Sequence, residues 1–552
     1  MCVLIAKILF RYANLFGLLL AKPREKFVTL YLLTLYRMKK DLSLQLYPLV
    51  KLAFSLIMGM QIETWLNISF GGWIGLMVVS LVISCLVRNA KFLKSIGLLF
   101  SVGSLGGCLM GQAINKTNIN LPSQPILYDA IVLTEPVEHG RVMKMDLGIL
   151  KDDVMFKAKA SLLKDTVAAR YKRLHVGDGM RIYSQLEHPV NFIDSDFDYP
   201  WWLKTHGYVG ETFIYYKNWN KVSLDLRKLS YWNRALLVAK KVRKRLLDQY
   251  HYAQIEGDNL AVLSAMTVGD KTLLSRELKD DYSVSGASHV LALSGLHLSI
   301  IYGILFHILS LCKGVVGMRF LRKFGIKEII IMVAIWAYVG IVDFSPSVVR
   351  SALMLTIYSM VALLNRNKLS VNTLALAAII MLIIQPLNLF DVGFQLSFMA
   401  VLSITLSSSL FYHLISAEFL QRFWMLKWIW GMLAVSIAAQ LGTAPLVAYY
   451  FGRFSCYFLI TNMVVVPCVM FILYLAVVMF ATVSLPQIHQ VIAELVVMLT
   501  NLTNMFLHWV SSLPGASIDN IQISGLQVFL IYVFLFCCWL LSIFFHERLK
   551  FH

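Results

Sequence analysis

Charged residues are what this sequence has least of. Asp, Glu, Lys and Arg make up 15% of its 552 residues, against about 25% in soluble globular domains. Hydrophobic residues reach 58% and the mean hydropathy is +0.68. A water-soluble fold is therefore excluded for most of the chain. Cysteine is also scarce. The eight are Cys2, Cys85, Cys108, Cys312, Cys456, Cys468, Cys537 and Cys538, and none lies in the polar stretch from Lys116 to Gly286. No CxxC pair occurs, so neither a zinc site nor a disulfide is expected there. The thirteen histidines are dispersed, with no HxH or HExxH cluster, and no metal or other cofactor is expected. The GxxxxGK[ST] nucleotide loop is missing too, so any motive force has to come from another protein.

Long apolar runs are what the sequence has most of. A spanning helix needs about 20 mostly apolar residues. Candidates are Leu46–Trp65, Phe70–Val87, Ser95–Ile114, Ala287–Leu311, Glu328–Asp343, Ser347–Leu364, Val371–Pro386, Val392–Leu410, Ile429–Tyr450, Ser455–Val483, His489–Val510 and Ile523–Phe545. The expected fold is a polytopic α-helical membrane protein of about twelve spans. With the N-terminus inside, inner loops hold Arg88, Lys91 and Lys94; Lys313, Arg319, Arg322, Lys323 and Lys327; Arg366 and Lys368; Arg422 and Lys427; Arg548 and Lys550. The short outer loops hold only Arg453. That asymmetry follows the positive-inside rule. It puts both termini in the cytoplasm, the chain in the cytoplasmic membrane and the polar stretch outside. Part of the net charge of +19 is explained the same way; attraction of a polyanion is the other explanation. Residues 1–45 read as a basic, amphipathic cytoplasmic segment, with Met38 an alternative start.

Residues 46–115 hold three spans, and 116–226 form the polar domain. Ile126–Thr134, Val142–Leu150, Val154–Ser161, Met180–Leu186 and Val209–Tyr216 carry strand patterns separated by turn residues. Five strands in about a hundred residues suit a small OB-like barrel; a β-sandwich is the other reading. Residues 227–285 read as basic amphipathic connector helices, with Lys240, Lys241, Arg243, Lys244 and Arg245 clustered. Such a helix rests on lipid headgroups or guides a polyanion towards a pore. Candidate strand contacts are Arg173, Arg181, Tyr183, Lys204, Lys241, Arg243 and Lys244, where basic residues alternate with aromatics. Residues 116–250 carry 22 basic and 15 acidic residues, a modest excess.

Residues 286–546 form the second helical domain. Its first run places His289, Ser294, Gly295 and His297 among apolar residues, where polar groups line cavities or pathways. On one continuous helix the two histidines would lie within about 80° of each other. Gly295 allows a close backbone approach or a helix break. Asp343, Arg350, Asp391, Gln395 and Gln440 also sit in or beside apolar runs. Asp343 and Arg350 flank Pro346, so they are expected either to pair or to leave Arg350 facing a lumen. Gln395 and Gln440 suit hydrogen bonds between helices. Ser294 and His297 raise a hydrolase, but no GxSxG elbow accompanies them.

Gly286–Ile300 (GASHVLALSGLHLSI) resembles the GTSHLLAISGLHVGL stretch of the ComEC family of DNA-uptake competence proteins. Gly269–Leu274 (GDKTLL) is similar to its GDRSGL. Pro346–Met354 (PSVVRSALM), Gly393–Ala400 (GFQLSFMA) and Thr443–Pro467 match further family segments in order. Asn191–Gly207 resembles NPGGFDYxxYLxxxGI without its Pro-Gly pair. The resemblance implies a channel for single-stranded DNA with an OB-like domain outside the membrane. It also implies partners: a DNA receptor outside, and an ATP-driven motor or single-strand-binding protein inside. Many members add a metallo-β-lactamase-like domain. No HxHxDH pattern occurs in this sequence, so any nuclease is expected on another polypeptide and the chain is expected to be a transporter rather than an enzyme. A secondary transporter of a small anion and a membrane-embedded hydrolase are the competing readings.

Overall fold

The computed structural model describes residues 47–549 except 88–89, 120, 152–153, 166–168, 192–197, 225–229, 312–325 and 364–369. Segment 1–45, Met38, and the inner-loop cations Arg88, Lys313, Arg319, Arg322, Lys323, Arg366, Lys368 and Lys550 lie outside the described residues.

Among the described residues each expected apolar run is helical, the one from Ala287 in two pieces. The first three are α1 (Pro48–Leu66), α2 (Phe70–Leu86) and α3 (Lys91–Thr117). Between lipid-soluble helices packing replaces the hydrophobic drive, so small residues let backbones close up. A Cβ on Gly59 of α1 would stand 1.7 Å from the Gly103 carbonyl oxygen of α3, and one on Gly106 would stand 2.3 Å from the Leu56 oxygen. The buried Glu63 carboxylate ties α1 to α2, accepting hydrogen bonds from Trp73 Nε1 at 2.6 Å and from the Ile68 amide at 3.0 Å.

The polar stretch is a mixed sheet of β1 (Ile126–Val132), β2 (Val137–His139), β3 (Val142–Lys151), β4 (Val154–Leu163), β5 (Gly179–Ser184), β6 (Leu186–Glu187), β7 (Tyr208–Ile214) and β8 (Trp219–Val222). The strand order is β6-β7-β4-β3-β1-β5-β8, with β2 on β3. All pairs are antiparallel except β4 with β7. The two-residue side-chain period sends alternate residues inward. Tyr128, Ala130 and Val132, Met143, Met145 and Leu147, and Ala158, Ala160 and Leu162 thus share one core. Within it the hydroxyls of Tyr128, Ser184 and Thr212, from β1, β5 and β7, bond one another at 2.7–3.2 Å. The short helix α4 (Tyr199–Thr205) precedes β7, capped by Asp198 through the Trp201 amide.

Next come α5 (Tyr231–Tyr252), α6 (Gly257–Val268), α7 (Arg276–Val284) and α8 (Ser288–Leu291). Residues 227–285 were expected to be basic and amphipathic, and α5 is. By contrast, α6 is buried from Leu260 to Val268. Its sequence is apolar on all sides, the pattern of an interior helix, and it belongs to the main core of the helical domain.

The remaining helices are α9 (Gly295–Leu311), α10 (Ile326–Ile341), α11 (Pro346–Leu363), α12 (Ser370–Ile384), α13 (Val392–Tyr412), α14 (Ala417–Arg422), α15 (Trp424–Phe451), α16 (Phe458–Ala481), α17 (Pro486–Ser512) and α18 (Gly525–Leu549). The α16–α17 pair packs Val465, Val469 and Ile472 with Ala493, Val496 and Leu507 around α6. Strands β9 (Phe454–Ser455) and β10 (Ser517–Ile518), which flank this pair in sequence, bond to each other.

Seven helices among the described residues are long and apolar enough to cross a membrane: α1, α3, α13, α15, α16, α17 and α18. Three more, α2, α9 and α12, are apolar but shorter. Breaks shorten the elements: the run from Ala287 is divided between α8 and α9, and Pro386 stops α12. The chain is a helical membrane protein carrying a β domain.

Candidate functional site

The apolar run after Gly286 does not form one helix. It winds through α8, leaves helical geometry at Ala292, and restarts as α9 at Gly295. The shared wall expected for His289 and His297 assumed a continuous helix; the structure places a break between the two residues instead. His289 has an exposed side chain, whereas His297 is buried at 1%.

Ser294 caps the restart. Its backbone N–H donates to His297 Nδ1 at 3.2 Å, and its Oγ lies 2.9 Å from the same nitrogen. A ring nitrogen that accepts a backbone N–H carries no proton of its own, so the His297 proton sits on Nε2. That Nε2 is buried and has no partner among the described residues. Ser294 and His297 thus meet the first distance requirement of a hydrolytic pair. A nucleophilic serine also needs its base oriented by a third group, and no described residue bonds Nε2.

Gly295 faces α11. A Cβ there would stand 2.7 Å from Ser351 Oγ and 3.5 Å from Arg350 Nη2. The missing side chain is what lets α9 start beside the guanidinium. Arg350 is buried, 6% exposed. Its Nη2 donates to Ser351 Oγ at 3.2 Å, its Nη1 reaches Met354 Sδ at 3.8 Å, and its Nε has no partner among the described residues. The Phe398 ring lies 5.9 Å away. No carboxylate among the described residues forms a salt bridge with it.

Asp343, the expected alternative partner, is engaged elsewhere. It pairs with Lys240 of α5 at 3.3 Å. Asp343 and Phe344 are both left-handed, at φ 59° and 52°, a turn that carries the chain from α10 into α11. Burial pulls the Lys240 ammonium below its ordinary value, and Asp343 opposes that fall. Asp391 caps α13, accepting from the Phe394 amide at 2.7 Å, and its other oxygen meets His206 at 3.5 Å. Gln395 donates to the Leu389 carbonyl at 2.9 Å and accepts from Tyr450 of α15 at 2.8 Å, a bond between helices.

The candidate strand contacts divide into two groups. Arg181 makes two bonds to Asp129, at 2.8 and 3.1 Å, and holds that carboxyl below its usual range. Arg243 lies 3.8 Å from Asp270, and Lys244 is 3.0 Å from Glu135. Lys204 donates to Asn118 at 2.9 Å. Arg173, Tyr183 and Lys241 are exposed. The cationic run of α5 is therefore largely a joint. Lys240, Arg243 and Lys244 reach the α10–α11 turn, the α6–α7 loop and the β domain in turn.

Sequence reasoning passed over several buried polar atoms in the helical domain. Ser455 Oγ, Thr461 Oγ1, Asn462 Oδ1 and His489 Nε2 have no partner among the described residues. Hydroxyls and amides in an apolar run carry little signal because they are usually spent on their own helix. No group of three metal-binding side chains occurs among the described residues.

The family model described as "Competence protein" matches residues 266–544, half of the chain. ComE operon protein 3 of Bacillus subtilis (strain 168) is 32% identical over 231 residues. That alignment covers 41% of this chain and 26% of the relative, so the chain spans about a quarter of that protein's length. No solved structure matches. The matched region begins at the end of α6 and takes in the α8–α9 break, Arg350 and the α16–α17 core, so the helical domain built around them is the family's own. This chain is a member of the competence protein family, of the ComEC type.

Proposed function

We propose that the protein passes one strand of DNA across the bacterial cytoplasmic membrane during natural transformation. Arg350 is the observation that carries this reading. An ionisable group buried in an apolar helical bundle is costly and usually marks a pathway, and among the described residues no carboxylate forms a salt bridge with this one. A passage used by a polyanion gives such a residue a purpose, and the relative named for a competence operon points the same way.

The β domain we read as a small OB-like barrel outside the membrane. The strand order, the parallel β4–β7 pair and the return of β6 onto β7, one residue beyond β5, support this. His206–Asp391 and Lys240–Asp343 hold it against the outer turns of the helical domain. About twelve passes with both termini in the cytoplasm complete the arrangement. His289, Ser294, Gly295, His297 and Arg350 lie along the route, with Asp343, Asp391 and Gln395 fixing its walls. Exposed Arg173, Tyr183 and Lys241 are the outer contacts for the incoming strand. A DNA receptor outside, a motor or single-strand-binding protein inside, and a separate nuclease are the expected partners.

The test is uptake of labelled DNA in a strain lacking the gene, complemented by the wild type or by Arg350→Ala. The deletion is expected to abolish uptake, the wild type to restore it and the variant not to. Normal uptake in the deletion strain ends the proposal.

A further inference from the structure

We infer that the first turn of α9 and the Arg350 guanidinium form a subsite that binds one phosphodiester oxyanion at a time. The inference rests on the transport reading for its physiological ligand, but its chemistry stands on the geometry of the turn. No acid group among the described residues pairs with the donors presented there. The first amides of a helix have no acceptor within the helix. Among the described residues, those of Gly295, Leu296 and His297 have no backbone acceptor in the preceding turn; Leu298 reaches the Ser294 oxygen at 3.4 Å.

Arg350 adds an unpartnered Nε–H, and its Nη2 stands where a Gly295 side chain would begin to crowd it. Ser351 cannot satisfy the guanidinium alone. It accepts one bond and spends its own proton on the Ser347 carbonyl at 2.9 Å. His297 adds a further unmet donor, Nε2–H.

Helix N-termini favour anions through unspent amides and the helix dipole. Arginine adds a planar fork suited to phosphate oxygens. A carboxylate from the protein would close such a site permanently. Its absence leaves the donors for a ligand that arrives and leaves. An interior this apolar strengthens each contact, whereas conduction demands release. One phosphate at a time, handed on as the next arrives, meets both conditions.

The experiment uses the full chain in lipid nanodiscs, titrated with labelled oligothymidylate over a range of salt. Each phosphate neutralised on a single strand contributes about 0.7 to the log–log salt slope. R350Q is expected to flatten the slope by about 0.7, while R350K keeps the slope and binds about tenfold more weakly for want of the fork. Replacing the phosphodiesters with uncharged methylphosphonates is expected to erase the difference between wild type and R350Q.

An unchanged slope in R350Q that melts like wild type overturns the subsite, as does a difference that persists on the uncharged strand. If R350Q does not fold, G295A carries the test. Its added carbon intrudes on Ser351 and the guanidinium, so binding should weaken and the slope flatten; an unchanged isotherm overturns the inference. These outcomes concern binding alone, so they stand apart from the deletion test of uptake.

Discussion

In the β domain, Arg181 grips Asp129 by two hydrogen bonds, Lys159 meets Asp146 at 3.0 Å and Lys221 meets Asp178 at 2.6 Å. Water could have solvated every one of these groups. In the helical domain Arg350 is buried among Met354, Phe398 and a serine, and no acid among the described residues pairs with it. Stability alone predicts the reverse, with pairing most complete where solvation is poorest. The unpaired cation is therefore retained at a cost to stability, and such costs are tolerated where function needs them.

The comparison breaks most readily at Arg350 itself. Arg350→Met should take uptake to background while leaving the thermal midpoint unchanged or raised; a strongly lowered midpoint would mean the cation holds the bundle together. Gly59→Ala tests the opposite extreme, a site with no room at all. Its Cβ would lie inside the Gly103 carbonyl contact, and overpacking of this kind costs about 1–3 kcal/mol. Normal folding yield in detergent would show that α1 and α3 slide freely.

Tyr128→Phe in the β domain leaves the Ser184 and Thr212 hydroxyls short of a partner. A loss of about 1–3 kcal/mol is expected from denaturant melts of the chain. The smallest effect belongs to the exposed Arg181–Asp129 pair. Arg181 lowers the Asp129 pKa, so its contribution is present above the unfolded carboxyl pKa of about 3.9 and disappears as pH falls through the folded value. The midpoint difference between wild type and Asp129→Asn should therefore be small at pH 7 and close on acidification. A gap that widened in acid would reverse the sign of the pair.

Much of this architecture could be read from the sequence, for identifiable reasons. Apolar runs became helices because a chain in lipid has to satisfy its backbone locally. Ile126–Thr134 and Val142–Leu150 became β1 and β3 within a few residues, because two-residue alternation is a strong signal. Strands β2, β6 and β8 went unseen, since two to four residues are too few to show a period. The ladder of cations on α5 looked like a surface for phosphates. Its partners Asp270, Glu135 and Asp343 are distant in sequence, so only the fold reveals that three of the charges face inward. At the candidate site, Ser294, Gly295, His297 and Arg350 were legible as polar or flexible residues in the wrong solvent. Their meeting was not, because it depends on how α11 approaches the break.

The parallel pairing of β4 with β7 also fixes when the β domain can be finished. Antiparallel neighbours β3 and β4 zip together as soon as both have been synthesised. Their outer edge must then wait until residues 164–207 have been made and threaded round. During that interval α1–α3 already anchor the nascent polypeptide, and β4 presents bare backbone to anything extended nearby. Ribosome pausing within 164–207 would prolong the exposure, whereas supplying β7 as a separate peptide should cap the edge and rescue fragments that end before it.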